Sequence, residues 1–458
     1  MKFFTQSIKT AQIFVILWTG FSSCNLAQAI ETGVPLTLID AYQLALQHDA
    51  QISAARAARK AGLEKLPQGR AGLLPNISLQ TDYSTNNQEI NYNRLTPTLS
   101  STQLDQRYDS KSYSVSLTQP LFRLQNLAAY QQAKAQAGMS EDNFVIAEQN
   151  LILRVADAYF NVLIAEESLV AARSQTAATA RSLEEASAKF KVGTVTITDV
   201  DEAQAGYDLA RANEIVSLNE LDVNKQSLNK IIGQMPAHLR TASELMITPL
   251  EPEDMQQWEQ TAIHNSPVIR VAQNELAAAQ QEVQRNRGKR YPSVDLIASY
   301  SESSTDGNNL LGTGSDTTAS AIGIELQIPL YSGGELSSRV REANANYSKA
   351  RMDLRETREQ VVLDTRQAYL TVTSGRLQVQ AYQQAVKSSK SSLKTTQRGY
   401  EIGIRTSLDV LNAQQQLFES QRNLANVKYN YLNSLLQLKA AVGVLSISDV
   451  EDINRLLE

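Results

Sequence analysis

A chain of 458 residues that is 42% apolar and 20% charged has a globular composition and room for two or three domains, which excludes a disordered or collagen-like polymer. Its net charge is −5, and −7 once a leader carrying Lys2 and Lys9 is removed; either value has the wrong sign for a nucleic-acid binder. A single cysteine, Cys24, excludes a disulfide framework.

At the N-terminus, Lys2 and Lys9 precede the apolar run from Ile13 to Phe21, and Ala27-Gln28-Ala29 supplies a small-x-small cleavage site. Residues 1–29 therefore read as a secretory signal peptide whose removal takes Cys24 with it. A rival reading lipidates Cys24, but Phe21-Ser22-Ser23 is a poor lipobox. No later segment holds the roughly 18 consecutive apolar residues of a membrane-spanning helix.

From Leu36 to Leu66 the pattern is helical, with Thr37 as cap and Leu44, Ile52 and Ala55 along one face, and Pro67 and Gly69 interrupt it. After Pro75 the period switches to two: Ile77, Leu79 and Thr81 alternate with Ser78, Gln80 and Asp82. A polar loop from Asn86 to about Ser110 leads to a second strand, Tyr113, Val115 and Leu117 against serines and Thr118, so residues 76–120 form a long-looped hairpin ending at Pro120. Between Pro120 and Gly193 no proline occurs. Leu151, Val155, Ala158, Val162, Ala165, Leu169, Ala172, Thr176, Thr179, Leu183, Ala186 and Phe190 keep a 4,3 spacing, the seam of a coiled coil about 100 Å long. A return helix runs to Gly233. Residues 233–255, with Pro236, Pro249 and Pro252, form a linker placed in a collar around the middle of the helical body.

The design then repeats. Phe190 to Gln204 and Tyr400 to Gln414 are near copies, Gly193 pairing with Gly403, Thr196 with Thr406 and Asp199 with Asp409 at an offset of 210. Upstream, Pro75 matches Pro292 and Pro120 matches Pro329, so the proline pairs mark the junctions of hairpin and helix in both halves. The first repeat spans residues 30–232 and the second 256–443, with a hairpin at 293–329, a turn at 403 and a tail at 444–458. This is a tandem duplication within one body, since solenoid units are far shorter.

Four strands of about 10 residues suit a tilted crossing of a bilayer, with lipid covering their apolar faces. Four cannot close a barrel, so the chain must oligomerise; two copies would fill their interior with side chains, and three would open a lumen. The fold class is mainly α with a membrane β-barrel: a long antiparallel coiled-coil α-barrel plus four strands per protomer, forming a homotrimer.

Ala158-Tyr159-Phe160-Asn161-Val162-Leu163, Val192-Gly193 through Ile197-Thr198-Asp199-Val200, Arg405-Thr406, Asp409-Val410-Leu411, Leu424-Ala425-Asn426 and Tyr429-Asn430-Tyr431 carry a resemblance to the TolC-type outer-membrane efflux ducts, covering about residues 36–445. It implies a trimeric 12-stranded barrel in the outer membrane of a Gram-negative bacterium, extended into the periplasm by twelve helices. It also implies a periplasmic adaptor and an inner-membrane pump, proton-driven or of ABC type, acting at the turns Gly193, Thr194, Val195, Gly403 and Ile404, and a cargo of drugs, small toxic molecules or secreted proteins. In such ducts the residues matching Tyr400 and Arg405 bond to those matching Thr198 and Asp199 and hold the tip shut. A ring of Asp409 carboxylates would favour cations there; a second aspartate ring of the family falls on Asn412 in this chain.

His48, His238 and His264 have no ligand spacing, so neither a metal nor another cofactor is expected, and no nucleophile, base and orienter can be assembled into an active site. The competing reading is a periplasmic coiled-coil scaffold without a pore, for which helices alone would be enough.

Overall fold

The computed structural model describes residues 35–92, 102–236, 238–241, 250–306 and 314–457. The signal peptide and Cys24 lie outside the described residues. In chain order the elements are α1 (Leu38–His48), α2 (Ala50–Leu63), α3 (Lys65–Ala71), β1 (Asn76–Tyr92), β2 (Thr102–Phe122), α4 (Leu124–Lys191), α5 (Ile197–Ile232), α6 (Met255–Asn265) and α7 (Pro267–Gly288). The second half continues with β3 (Ser293–Thr305), β4 (Ser315–Gln327), α8 (Glu335–Glu401), α9 (Ser407–Val442) and α10 (Ile447–Leu456).

The helices α4 and α8, of 68 and 67 residues, set the scale at about 100 Å. The 4,3 seam accounts for α4: Leu151, Val155, Ala158, Val162, Ala165, Leu169 and Ala172 are buried. Toward the end of α4 the seam stays buried at Thr179 and Ala186, and Phe190 at its last position is exposed. α5 and α9, of 36 residues each, return along α4 and α8 and stop at Gly233 and Gly443, both left-handed. Beyond those stops, α2 and α3 continue along α4, and α7 lies against both α4 and α8.

Where the shorter helices meet, the main core closes. Phe160 stacks on Tyr429 and meets Tyr159 edge-on. The Tyr159 hydroxyl donates to the Leu36 carbonyl at 2.9 Å and accepts from the Arg240 N–H at 3.0 Å, tying the collar to α4. Burial pushes this phenol well above its usual range. Ile453 and Val450 of α10 join the same core.

The single helix expected from Leu36 to Leu66 is instead broken at Asp49. Its carboxylate accepts the Ile52 N–H at 2.8 Å as N-cap of α2 and takes two bonds from Arg154 at 2.8 and 2.9 Å, a partner 105 residues away that local periodicity cannot reveal. Pro67 and Gly69 do not interrupt the chain; both lie inside α3. Pro67 falls in its first turn, where a missing N–H leaves no bond unmade. Gly69 lets α3 close on α4, since a β-carbon there would lie 2.6 Å from that of Ala133.

The sheet is an antiparallel meander, β1-β2-β3-β4, although all of α4 to α7 separates β2 from β3. Its register aligns the alternation of all four strands: Ile77, Leu117, Ala298 and Ile322 form one cross-strand row, and Leu79, Val115 and Tyr300 another on the same face. The opposite face is polar, with Ser78 and Ser116 hydroxyls 2.7 Å apart and Gln80 bonded to Asp82 at 3.1 Å.

Strand length was underestimated by the apolar pattern: β1 and β2 have 17 and 21 residues, and β3 and β4 have 13 each. Most of the polar stretch from Asn86 to Ser110 is paired strand, the β1–β2 ribbon running past Ser110↔Thr305, where β3 pairing stops. Backbone pairing needs no apolar side chain, and at the base of this ribbon the Tyr83 and Thr85 hydroxyls donate to Asp109 at 3.0 and 2.7 Å. Nor does the hairpin end at Pro120, which lies within β2 at an irregularity between Pro120 and Phe122 where a strand proline is tolerated.

Candidate functional site at the helical turns

The turns at the far ends of α4 and α8 share one backbone design. Gly193 and Gly403 both have φ of +77°, a conformation open to glycine. Thr194 N–H donates to Lys189 O at 3.0 Å, and Ile404 N–H donates to Gly399 O at 2.9 Å. Each next helix starts with a capping box: Thr196 N–H and hydroxyl donate to Asp199 Oδ2 at 2.8 and 2.7 Å, and the same atoms of Thr406 donate to Asp409 Oδ2 at 2.9 and 3.0 Å. These bonds hold both carboxyls below the usual aspartate range, led by the Thr196 hydroxyl for Asp199 and by the Thr406 backbone N–H for Asp409. Sitting in the first turn of α9, the Asp409 carboxylate also complements the positive end of that helix's dipole.

The two turns differ in side chains. Arg405, in the turn before α9, is 59% exposed, and its guanidinium lies 3.8 Å from Asp409 Oδ1. Its stem folds over Gly399, where a β-carbon would lie 2.8 Å from Arg405 Cγ. The position equivalent to Arg405 is Val195, and that equivalent to Gly399 is Lys189. Lys189 bonds Glu185 at 2.6 Å and places its ammonium 4.3 Å from the centre of the Tyr400 ring. Between the two helical hairpins lies a cavity of about 290 Å³ lined by Thr179, Ser182, Ala203, Tyr400, Ser407 and Val410. Near it the buried Gln414 amide donates to Ser182 at 3.4 Å.

Of the residues singled out in the sequence, Tyr400, Arg405 and Asp409 come together at the second turn, with Asn412 exposed one turn further along α9. Thr198 and Asp199 sit at the first turn, Thr198 exposed, and within one chain neither meets Arg405. Pro75 and Pro292 directly precede β1 and β3, while Pro329 follows β4 in the connection leading to Gly333-Gly334. Among the described residues no group of three His, Cys, Asp or Glu side chains could hold a metal ion, and no helix is long and apolar enough to cross a membrane.

The sequence matches the family described as outer membrane efflux protein twice over, at residues 41–234 and 258–444, one match for each repeat. The chain belongs to the outer membrane efflux protein family. It is similar to the outer membrane protein TolC of Vibrio cholerae, with 31% identity over 419 residues, covering 91% of this chain and 93% of that one. The alkaline protease secretion protein AprF of Pseudomonas aeruginosa is 30% identical over 425 residues, 92% of this chain and 87% of the relative. Among solved structures, the outer membrane protein VceC of Vibrio cholerae superposes with a TM-score of 0.73 at 21% identity over 89% of this chain and 96% of that one, which establishes the fold.

Within this outer membrane efflux protein, sequence reasoning missed Lys189. The duplication could have found it: laying the copies at their offset of 210 puts Lys189 on Gly399 and Phe190 on Tyr400, a divergence beside the matched pairs Gly193 with Gly403 and Thr196 with Thr406.

Proposed function

We propose that three copies of this outer membrane efflux protein close their sheets into one 12-stranded barrel, continued by a helical tube into the periplasm. The assembly is a passive exit duct, opened at its turns by a periplasmic adaptor and an inner-membrane pump. The sheet carries the reading. It has four strands with unpaired edges at β1 and β4, an apolar face with Ile77, Leu79, Ile322 and Ile324 about 70% exposed, and a polar face opposite. An edge in lipid leaves backbone groups without partners, and closure by three chains removes every edge while leaving a water-filled lumen. Outer-membrane lipid then covers the apolar face. Cargo passes to the pump's choice, in keeping with a family named for efflux and a relative named for protease secretion.

At the turns, Arg405 and Tyr400 lock against Thr198 and Asp199 of an adjacent hairpin. Arg405 is exposed enough to reach, and Asp199 keeps Oδ1 without a partner among the described residues after Oδ2 takes the Thr196 bonds. Both turns, Gly193-Thr194-Val195 and Gly403-Ile404, are the docking points for the adaptor, and Asp409 lines the narrowest passage.

Reconstitution in a planar bilayer tests the duct. Heat-resistant trimers should conduct weakly, and Arg405→Ser combined with Tyr400→Phe should raise the conductance several-fold; conductance equal to that of the parent would remove the lock. A protein that never conducts and fractionates away from the membrane would return the pore-free scaffold to the front. Cross-linking from Ser407→Cys in intact cells should capture an adaptor, and the pump captured with it identifies the cargo class.

A further inference from the structure

We infer that Lys189 is a positioning residue of the gate: its ammonium holds the Tyr400 ring and so ties the second helical hairpin, α8–α9, to the first, α4–α5, within one protomer. The inference rests on the reading of these turns as a gate, and adds to it a tether that acts inside a chain rather than between chains.

Three observations carry it. First, the gate groups Arg405, Asp199 and Asp409 make these contacts within their own turns: Arg405 with Asp409, Asp199 Oδ2 with Thr196, and Asp409 with Thr406. Near the tip, the polar contacts that cross between hairpins among the described residues are Lys189 with Tyr400 and, two turns higher, the long Gln414–Ser182 bond. Second, the tether is built rather than incidental. Glu185, one turn back on α4, holds the Lys189 ammonium at 2.6 Å, and the lysine side chain is 34% exposed, so the cation is fixed and partly shielded over the ring. An ammonium within about 6 Å of a ring centre is attracted by the negative face of its π system. The Glu185 bond and Tyr400 also raise the affinity of Lys189 for its proton, which keeps the charge in place.

Third, the duplication makes the contact one-directional. Tyr400 answers to Phe190 and Lys189 to Gly399 in the other copy, and position 399 has no room for a side chain because the Arg405 stem lies over it. A reciprocal contact from the second hairpin to the first would displace Arg405. The chain therefore places its tether on α4 and its arginine on the second turn, where the arginine stem leaves position 399 no room for a second tether.

An exposed contact of this kind shifts an equilibrium about 2- to 5-fold, and three acting in a concerted opening multiply to about 10- to 100-fold. The test is the fraction of time a reconstituted channel spends in its high-conductance state, for Lys189→Met, Lys189→Arg, Tyr400→Leu and the double variant Lys189→Met/Tyr400→Leu, beside Arg405→Ser. The tether requires that Lys189→Met and Tyr400→Leu each raise that fraction, that the double variant rise no further than Tyr400→Leu alone, and that Lys189→Arg stay near the parent. If Arg405→Ser opens the channel while Lys189→Met does not, the gate stands and the tether falls. If the two single effects multiply in the double variant, Lys189 and Tyr400 act separately and the tether is also overturned. If none of the variants changes the channel, the gate reading fails together with it. If Lys189→Met and Tyr400→Leu open it in a coupled way and Arg405→Ser does not, the tether stands and the arginine lock is lost.

Discussion

Replacing Arg154 by methionine strikes the point where the first helix breaks. Asp49 is 4% exposed and caps α2 while taking two bonds from Arg154, so the variant leaves a buried carboxylate with only backbone N–H groups, led by that of Ile52, as partners. Removing one member of a buried pair costs about 3–5 kcal/mol. The Arg154 side chain is 31% exposed, so water enters where the guanidinium was, and the cost here falls to about 2–3 kcal/mol. The expected effect is a loss of amide protection in α1 and α2 by about 30- to 150-fold in hydrogen exchange, with the far turns of α4 unaffected.

The sign of the pH dependence follows from the pair. Bonding to Arg154, more than the Ile52 N–H, holds the Asp49 carboxyl below its ordinary value. A depressed carboxyl stabilises the fold above its unfolded value of about 3.9 and loses that contribution as the pH falls through the folded value. Parent protection should therefore persist at pH 4 and fall below it, whereas in Arg154→Met desolvation raises the Asp49 carboxyl, and protection should recover as the pH falls and that group takes up its proton. Asp49→Asn added to Arg154→Met restores a neutral cap and should recover most of the protection. Protection unchanged in the single variant, or no recovery in the double, would show that the helix break is held by something other than this pair.

Two further outcomes concern the turns. Gly403→Val puts a β-branched side chain at φ of +77° and should weaken that turn by about 1–2 kcal/mol, read as faster exchange of the Ile404 and Arg405 amides, while valine at 402, the counterpart of Val192, should be silent. Asn412→Asp doubles the carboxylates that α9 presents to the passage, and multivalent cations should then block the channel at least about tenfold more tightly; equal block would place Asn412 away from the lumen.

The long helices were legible because two things agreed over many turns, the absence of proline between Pro120 and Gly193 and between Pro329 and Gly403, and the 4,3 seam on α4. The turns were legible because they occur twice. What escaped was anything whose cause lies far along the chain or in the backbone alone. Asp49 looks like an ordinary helix residue until Arg154 is beside it. Asn86 and Asn87 read as loop because their partners Tyr108 and Arg107 are polar too, yet the ladder between them is regular. Lys189 reads as one more solvated charge in the last turn of a helix, and its role requires a ring contributed from 211 positions away.

The matched turns have a bearing on recognition. Each chain offers the same backbone shape at two places, Gly193 and Gly403, with the same left-handed glycine, the same closing bonds and the same cap. A protein that grips the contour of a turn finds two equivalent handles per chain. One that grips a guanidinium finds a single handle, at Arg405. Stoichiometry against this surface is thus decided by whether a binder reads shape or charge, and duplication followed by divergence has written both codes into one polypeptide.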